Sequence, residues 1–475
     1  MKGLVMSELV DGEPGSWRQL LSGSNLPVIV VLAGGVALYA INVYLASSLL
    51  PSAIVEIGGE RFYAWNTTVF LLASVASSVL VTRAIEVLGG RHAYLIALGL
   101  FGLGSVVCSL APSMAVLLVG RGVQGVGGGL LAGLAYGMIQ SSLPEPVWSR
   151  AVAMTSAMWG VGTLIGPALG GALAEFASWR IAFGTLVVAC STLAVIVPRA
   201  LSRGRPQAGA EPVPMVSVVI VMLAALVVSV VSVVGTPWLS AIGVVIGVVL
   251  LGAFLRHERR TRSGRVLPAS MFRARSPLGW IYLTLALLAM GSQIEGFVPL
   301  FGQRLAGLAP LAAAFLGAVS AAGWALAQIV SSNADAPRSA DRLSIAGPAA
   351  LTAGLLACTF LVHDNISGIG LIVWIVALLI AGAGIGLAWP HLSTAVLRVG
   401  GQYGDGAKAA AAINSIQLLA NAFGAAFTGV LVNLASTDAG SARLLFLGVA
   451  VLTALGIVTA FRATSADTTT SADGG

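Results

Sequence analysis

The stretch WGVGTLIGPALGG, Trp159–Gly171, decides the fold. It carries no charge and is largely apolar, yet it holds Gly160, Gly162, Gly166, Gly170, Gly171 and Pro167. In water this would be a poor helix, because relative to Ala each Gly costs about 1 kcal/mol and each Pro about 3 kcal/mol. Inside a bilayer the penalty weakens, since neighbouring helices can satisfy a freed backbone group. Gly162, Gly166 and Gly170 recur every four residues, so on a helix they form one smooth stripe against which another backbone can pack. Pro167 removes the hydrogen bond to the Thr163 carbonyl and allows a bend. The stretch therefore reads as a membrane helix built for close approach.

The rest of the chain agrees with a membrane setting. Of 475 residues, 57% are hydrophobic and 9% charged, with a mean hydropathy of +0.95. Soluble domains carry about 25% charged residues. Cys108, Cys190 and Cys358 lie far apart in apolar runs, which suits buried small residues and gives no metal or disulfide spacing. The run Leu26–Leu50 is too long for a signal peptide and reads as a first span. GVGGG at Gly125–Gly129 lies within a span and lacks the Lys-Ser/Thr of a nucleotide loop. The His, Cys and Ser residues form no hydrolase constellation. The expectation is a non-enzyme with no cofactor, no metal and no nucleic-acid partner.

A span takes about 20 apolar residues. Candidates fall at 27–50, 64–83, 92–111, 115–142, 150–174, 181–199, 214–235, 238–255, 277–302, 306–331, 344–363, 366–389, 407–435 and 442–462. That even count places both termini on one side. With the N-terminus inside, the outer segments hold only Arg61, Arg180, Arg304 and Arg443. Arg121 lies within a span, and every other Lys or Arg falls on the inner side. The positive-inside rule then makes both termini cytoplasmic, in a multi-pass protein of the cytoplasmic membrane. The expected organisation is a cytoplasmic tail (1–26), a six-helix bundle (27–200), a linker with two extra spans and a basic loop (201–276), a second six-helix bundle (277–462) and a disordered polar tail (463–475). The two extra spans are almost purely Val, Leu and Ile, and are expected to face lipid. Six-plus-six is the repeat architecture of secondary transporters.

Particular residues narrow that class. GTLIGPALGG resembles the antiporter motif of helix five in major facilitator superfamily exporters, with Ala153 where the family has a further upstream Gly. SWRIAF (Ser178–Phe183) resembles the entry to helix six in the drug:proton antiporter branch, and GRGVQGVGGG (Gly120–Gly129) resembles the Arg-x-x-Gln-Gly motif of helix four. RVLPASMFRARS (Arg265–Ser276) resembles the basic loop of fourteen-helix members. TRAIEVLGGRHAYL (Thr82–Leu95) aligns with the family's gating loop, with Glu86 at the usual Asp position, Gly89 and Arg91 retained, and Thr82 replacing the first Gly. The matching loop of the second half, SSNADAPRSADRL, keeps Asp341 and Arg342 but little else. Helix one of related antiporters often carries an Asp; this chain has Asn42 in that region, and Asn cannot titrate.

Of the eighteen acidic residues, Glu295 is the one placed well inside a span. An ionised acid at that depth costs about 2.5–3.5 kcal/mol on insertion scales, so it must face a cavity, find a partner or carry a proton. Its bland alternative is a hydrated or structurally paired acid near the outer end. Arg121 is the complementary charge, to which the resemblance assigns a part in proton coupling; satisfaction by helix carbonyls is the structural alternative. Asn42, Gln124, Trp159, Gln328, Asn414, Gln417 and Asn421 are candidate cavity residues, with Tyr44, Trp324 and Trp389 beside them. Asn414, Gln417 and Asn421 share one helix face by their spacing.

The resemblance thus implies an all-α major facilitator fold of two six-helix bundles plus two inserted helices. It implies a monomer in lipid that exchanges protons for amphiphilic or hydrophobic small molecules and exports them. A lipid or envelope-precursor exporter, and a proton-coupled importer on the same fold, remain the alternatives.

Overall fold

The computed structural model describes residues 16–202, 214–234, 236–261, 265–273, 276–331, 337–403 and 406–472. The remaining parts of the expected tails, linker and basic loop lie outside the described residues. Sixteen helices matter here. In the first half they are α1 (Asn25–Ile57), α2 (Tyr63–Ser78), α3 (Val81–Leu88), α4 (Gly90–Ser109), α5 (Met114–Gly137), α6 (Trp148–Phe176) and α7 (Trp179–Ala200). The inserted pair is α8 (Met215–Val234) and α9 (Pro237–Arg260). The second half comprises α10 (Leu278–Ser292), α11 (Val298–Ala306), α12 (Pro310–Ser331), α13 (Pro337–Leu361), α14 (Ile369–Gln402), α15 (Gly406–Asn433) and α16 (Asp438–Ala472). No strand occurs among the described residues. Among the described residues, thirteen helices are long and apolar enough to cross a membrane, or fourteen when Glu60–Ser78 and Val81–Leu88, bent by 53°, count as one span.

Several boundaries differ from the sequence reading. The span expected at 64–83 breaks at Val79–Leu80, and its far side becomes the short amphipathic α3. The span expected at 277–302 breaks at Gln293–Gly296, a 3-10 turn between α10 and α11. Apolar length cannot see such breaks: Val79–Leu80 is itself apolar, and Gln293–Gly296, though it carries Gln293 and Glu295, lies between two apolar runs that read as one span. The helix of the last span runs on to Ala472, across most of the tail expected to be disordered from 463. Extending an existing helix adds one hydrogen bond per residue and needs no new nucleus.

The two halves meet along two seams. One is α6 against α12, with α1 behind it; the other is α2 against α15. The inserted pair covers the second seam. The greasy α8 does not simply face lipid, as its composition suggested. It packs on both α15 and α2, and burial claims Val221, Ala224, Ala225 and Val228. The Trp65 indole N–H donates to the Ser229 carbonyl at 2.8 Å, and the Asn433 amide donates to the carbonyls of Ser232 (3.1 Å) and Arg61 (2.9 Å). Lipid exposure and helix burial both select Val and Leu, so composition cannot separate them. α9 is the lipid-facing member, with Val245, Val248 and Val249 exposed.

Glu258, near the end of α9, is fully buried. Its carboxylate accepts from the Ser217 hydroxyl and from the Leu267 N–H, the latter at 2.7 Å. This ties the basic loop to the inserted hairpin. In sequence Glu258 sits in LRHERR and looks like a solvated loop acid.

Candidate functional site

The glycine stripe positions the first half. A β-carbon on Gly162 would lie 2.6 Å from that of Ala40, and one on Gly166 would lie 2.6 Å from that of Tyr44. One on Gly170 would lie 2.9 Å from the Leu45 carbonyl oxygen. All three therefore press α6 onto α1. Gly171 faces elsewhere: its β-carbon would meet Leu311 Cα at 2.8 Å and Ala314 Cβ at 2.9 Å, across the seam on α12. Pro167 lies inside α6 without breaking it.

Held against α6, α1 turns Asn42 into the first half's interior. There Arg121 of α5 is 1% exposed. Its Nε–H donates to the Asn66 carbonyl (3.1 Å), and Nη1 donates to Asn42 Oδ1 (3.0 Å) and to Gln124 Oε1 (2.5 Å). The Gln124 amide donates onward to the Ser105 hydroxyl at 2.8 Å. Gly104 allows this, since any β-carbon there would strike the backbone of Gln124. The guanidinium lies over the Phe70 ring, 4.2 Å from its centroid. Tyr39 tilts against Phe70 at 5.3 Å and meets Trp159 edge-on at 5.6 Å. An aromatic shelf thus runs from the buried cation to Trp159, which is 38% exposed.

Glu295 belongs to the second half. It sits in the turn that breaks α10 from α11, beside Ser320 of α12 and Tyr44 of α1. Its Oε1 is buried and has no hydrogen-bond partner among the described residues. Next to it, the Gly296 carbonyl accepts from the Tyr63 hydroxyl of the first half at 3.0 Å, and Phe297 stacks on Tyr63 at 4.9 Å. The hydrogen bonds of Arg121 all go to Asn42, Gln124 and Asn66, so the structure does not join Arg121 to Glu295.

The other cavity candidates divide. Asn421 accepts from the Gln293 amide at 3.0 Å, which links α15 to the same broken turn. Gln328 accepts from the Trp324 indole at 2.9 Å, and Trp324 packs on Trp389 at 5.5 Å. Asn414 is exposed and Gln417 half-buried. Asn66, Ser105, Phe70 and Tyr39 escaped the sequence reading. Asn66 and Ser105 are polar residues in predicted spans and could have been noticed; the two aromatics resemble ordinary core.

At one end the halves are bound together. Arg304 bonds Glu60 of the first half and Asp438 of the second, the latter at 2.9 Å. The Glu175 carboxylate accepts from the Leu311 N–H at 3.0 Å. Glu56 pairs with Arg180 at 2.5 Å and accepts from the Trp179 indole at 2.6 Å, bracing SWRIAF against α1. The gating loop lies at the other end. Gly89 joins α3 to α4 at φ 74°, a left-handed value that suits Gly. Glu86 pairs there with Arg83, at 3.8 Å, within its own half. Arg91 is half-buried in the first turn of α4.

Comparison with known proteins bears on this arrangement. The model of the Major Facilitator Superfamily matches residues 32–416. A probable multidrug-efflux transporter of Mycobacterium tuberculosis is 42% identical over 464 residues, covering 96% of this chain and 98% of that protein. An uncharacterised MFS-type transporter of the same organism is 26% identical over 52% of this chain and 36% of its own. Among solved structures, a POT family transporter covers 90% of this chain and 95% of its own, with a TM-score of 0.67 at 17% identity. A D-xylose-proton symporter covers 92% of this chain and 97% of its own, with a TM-score of 0.62 at 14% identity. The two structures show the fold. With the family model spanning most of the sequence, and a relative matched along nearly its whole length, the chain belongs to the Major Facilitator Superfamily.

Proposed function

We propose that the chain is a proton-driven exporter of amphiphilic or hydrophobic small molecules, working by alternating access between its two halves. The observation that carries this reading is Glu295. It is a carboxylate in a broken helix at the junction of the halves, with one oxygen buried and unpartnered. Such an acid is costly at membrane depth unless it exchanges a proton or a partner. Its neighbours Tyr44 and Ser320 lie on α1 and α12, elements that meet across a seam, so rocking of the halves would change its surroundings. In this mechanism a proton enters from outside, binds Glu295 and leaves inside, while substrate moves out. Arg121, Asn42 and Gln124 would hold the first half's polar site, and Gln328, Asn414, Gln417 and Asn421 are the second half's candidates for contact with substrate. The two six-helix units, with the basic loop and both termini cytoplasmic, would act as the rocking bodies. The 42% relative, itself called a probable multidrug-efflux transporter, supports export over import.

The test uses inverted vesicles with an imposed pH gradient. The wild type should accumulate substrate when the interior is acid, because proton exit then drives uptake. Glu295→Gln keeps shape and hydrogen-bonding capacity but cannot titrate. It should still bind substrate and exchange it downhill, yet lose pH-driven accumulation. Full pH-driven transport by Glu295→Gln would refute the assignment, and accumulation only under the opposite gradient would favour an importer.

A further inference from the structure

We propose that the Arg121 network is an anion subsite, so that the molecule carried is an amphiphile with an aromatic body and a carboxylate-like group. This rests on the exporter reading only for the word carried; the binding claim is separate.

Three observations converge on it. First, Arg121 is a buried cation whose described acceptors are all neutral: the Asn66 carbonyl, Asn42 Oδ1 and Gln124 Oε1. A buried charge is stable only when countered, and dipoles counter it incompletely. Second, those bonds use Nε and Nη1. The Nη2 amino group makes no protein hydrogen bond among the described residues. Asn42 Nδ2 and Asn66 Nδ2, on two of the residues that accept from the guanidinium, are buried with no hydrogen-bond partner among the described residues. Asn66 Oδ1 is unpartnered too, at the other end of the same amide. Unused N–H donors on the residues that hold an unbalanced cation are what an anion needs, and guanidinium suits a carboxylate in particular. Third, the way out from the cation is aromatic. Phe70 lies under the guanidinium, Tyr39 adjoins Phe70, and the partly exposed Trp159 follows. Tyr39 and Phe70 are each 1% exposed, so a flat apolar body enters from Trp159 and reaches Arg121 with its charged end as these two rings move aside.

Asn42 is the residue that leaves the place open. Its Oδ1 already meets Nη1, so an Asp at this position would supply a fixed carboxylate in the same space and occupy the cation permanently. The structure thus contains its own control.

The experiment measures equilibrium binding to the purified chain in lipid nanodiscs at pH 7, with no gradient. The probes are 2-naphthoate, 2-naphthamide and 2-naphthylmethylammonium, which share a body and differ in charge. Naphthoate should bind about tenfold tighter than the amide, and the cation most weakly. Asn42→Asp should erase the preference for naphthoate over the amide, and a thermal unfolding midpoint in detergent close to that of the wild type reports that the variant is folded. Arg121→Lys, which keeps charge but loses the fork, should retain part of the preference. Equal or tighter binding of the amide or the cation by wild type would overturn the proposal. So would an undiminished naphthoate preference in Asn42→Asp, or binding of none of the three below millimolar concentration. If naphthoate preference holds while pH-driven vesicle transport is absent, the proton-exporter reading alone fails. The reverse result removes the anion subsite alone.

Discussion

Gly166→Ala is the smallest change that tests how the first half is built. The added methyl would lie 2.6 Å from Tyr44 Cβ, 2.9 Å from the Ile41 carbonyl oxygen and 3.1 Å from the Leu45 amide nitrogen. These are backbone or backbone-proximal atoms, so no flexible side chain can swing aside. Carbon atoms rest about 3.5–4.0 Å apart, so α6 and α1 must separate locally by roughly 1 Å. Overpacking of this kind costs about 1–3 kcal/mol. The displaced residue, Tyr44, lies beside Glu295, so transport should suffer along with stability. Gly160→Ala is the control. It lies in the same helix six residues away, and its β-carbon would meet nothing within 4 Å. Both variants gain the same helix propensity, so the difference between them isolates the contact. Unfolding of the purified proteins in detergent should place Gly166→Ala below Gly160→Ala by about 1–3 kcal/mol, and vesicle transport should fall only in the former. Equal stability and equal transport would show that close approach of α6 to α1 is dispensable.

Other consequences can be measured separately. Arg304→Gln removes the link from Glu60 to Asp438, and exposed ion pairs are worth about 0–1 kcal/mol. The population open at that end should therefore rise by up to about fivefold, read as faster maleimide labelling of a Cys placed at buried Ala314; unchanged labelling would deny that Arg304 is a latch. Glu258→Ala leaves the Ser217 hydroxyl and the Leu267 N–H unpaired, at about 1–3 kcal/mol for each buried group. It should destabilise the protein more than Ser217→Ala, and the opposite order in detergent unfolding would refute the pin. For orientation, a single Cys at Ser263 should resist an impermeant reagent applied outside intact cells, and efficient labelling would invert the topology.

Much of the architecture was legible because it depends on long-range averages. Apolar length gives spans, and the placement of Arg across loops gives their alternation. The glycine stripe was legible because a four-residue period of small side chains has a single geometric meaning on a helix. What escaped depends on single atoms or on partners distant in sequence. The break at Gln293–Gly296 is apolar on both sides, so no periodicity announces it. Glu258 reads as a loop acid until Ser217, 41 residues earlier, is seen to meet it. Phe70 and Tyr39 read as core until Arg121 is placed over one of them. α8 reads as lipid-facing because a buried helix and a lipid-facing one use the same residues.

The placement of Glu295 suggests how a proton could move whole helix bundles. Among the described residues, the polar links that hold the first half to the second at one end are Tyr63 to Gly296, Glu175 to the Leu311 N–H, Asn433 to Arg61, and Arg304 between Glu60 and Asp438. At about 0.5–1.5 kcal/mol for a neutral hydrogen bond and somewhat more for a charged one, their opening costs a few kcal/mol in all. One pH unit across the membrane supplies about 1.4 kcal/mol per proton, so the two quantities are of the same order. A driving force of this size cannot break a packed core, but it can bias a closure that is nearly balanced. Glu295 is adjacent in sequence to Gly296, whose carbonyl receives the Tyr63 hydroxyl, and it lies in a 3-10 turn rather than a regular helix. A change of charge there would act on a break in the helix one residue from the link. The same change in the middle of an unbroken helix would have no such lever, and this argues that the break in the seventh core span and the acid within it serve one purpose.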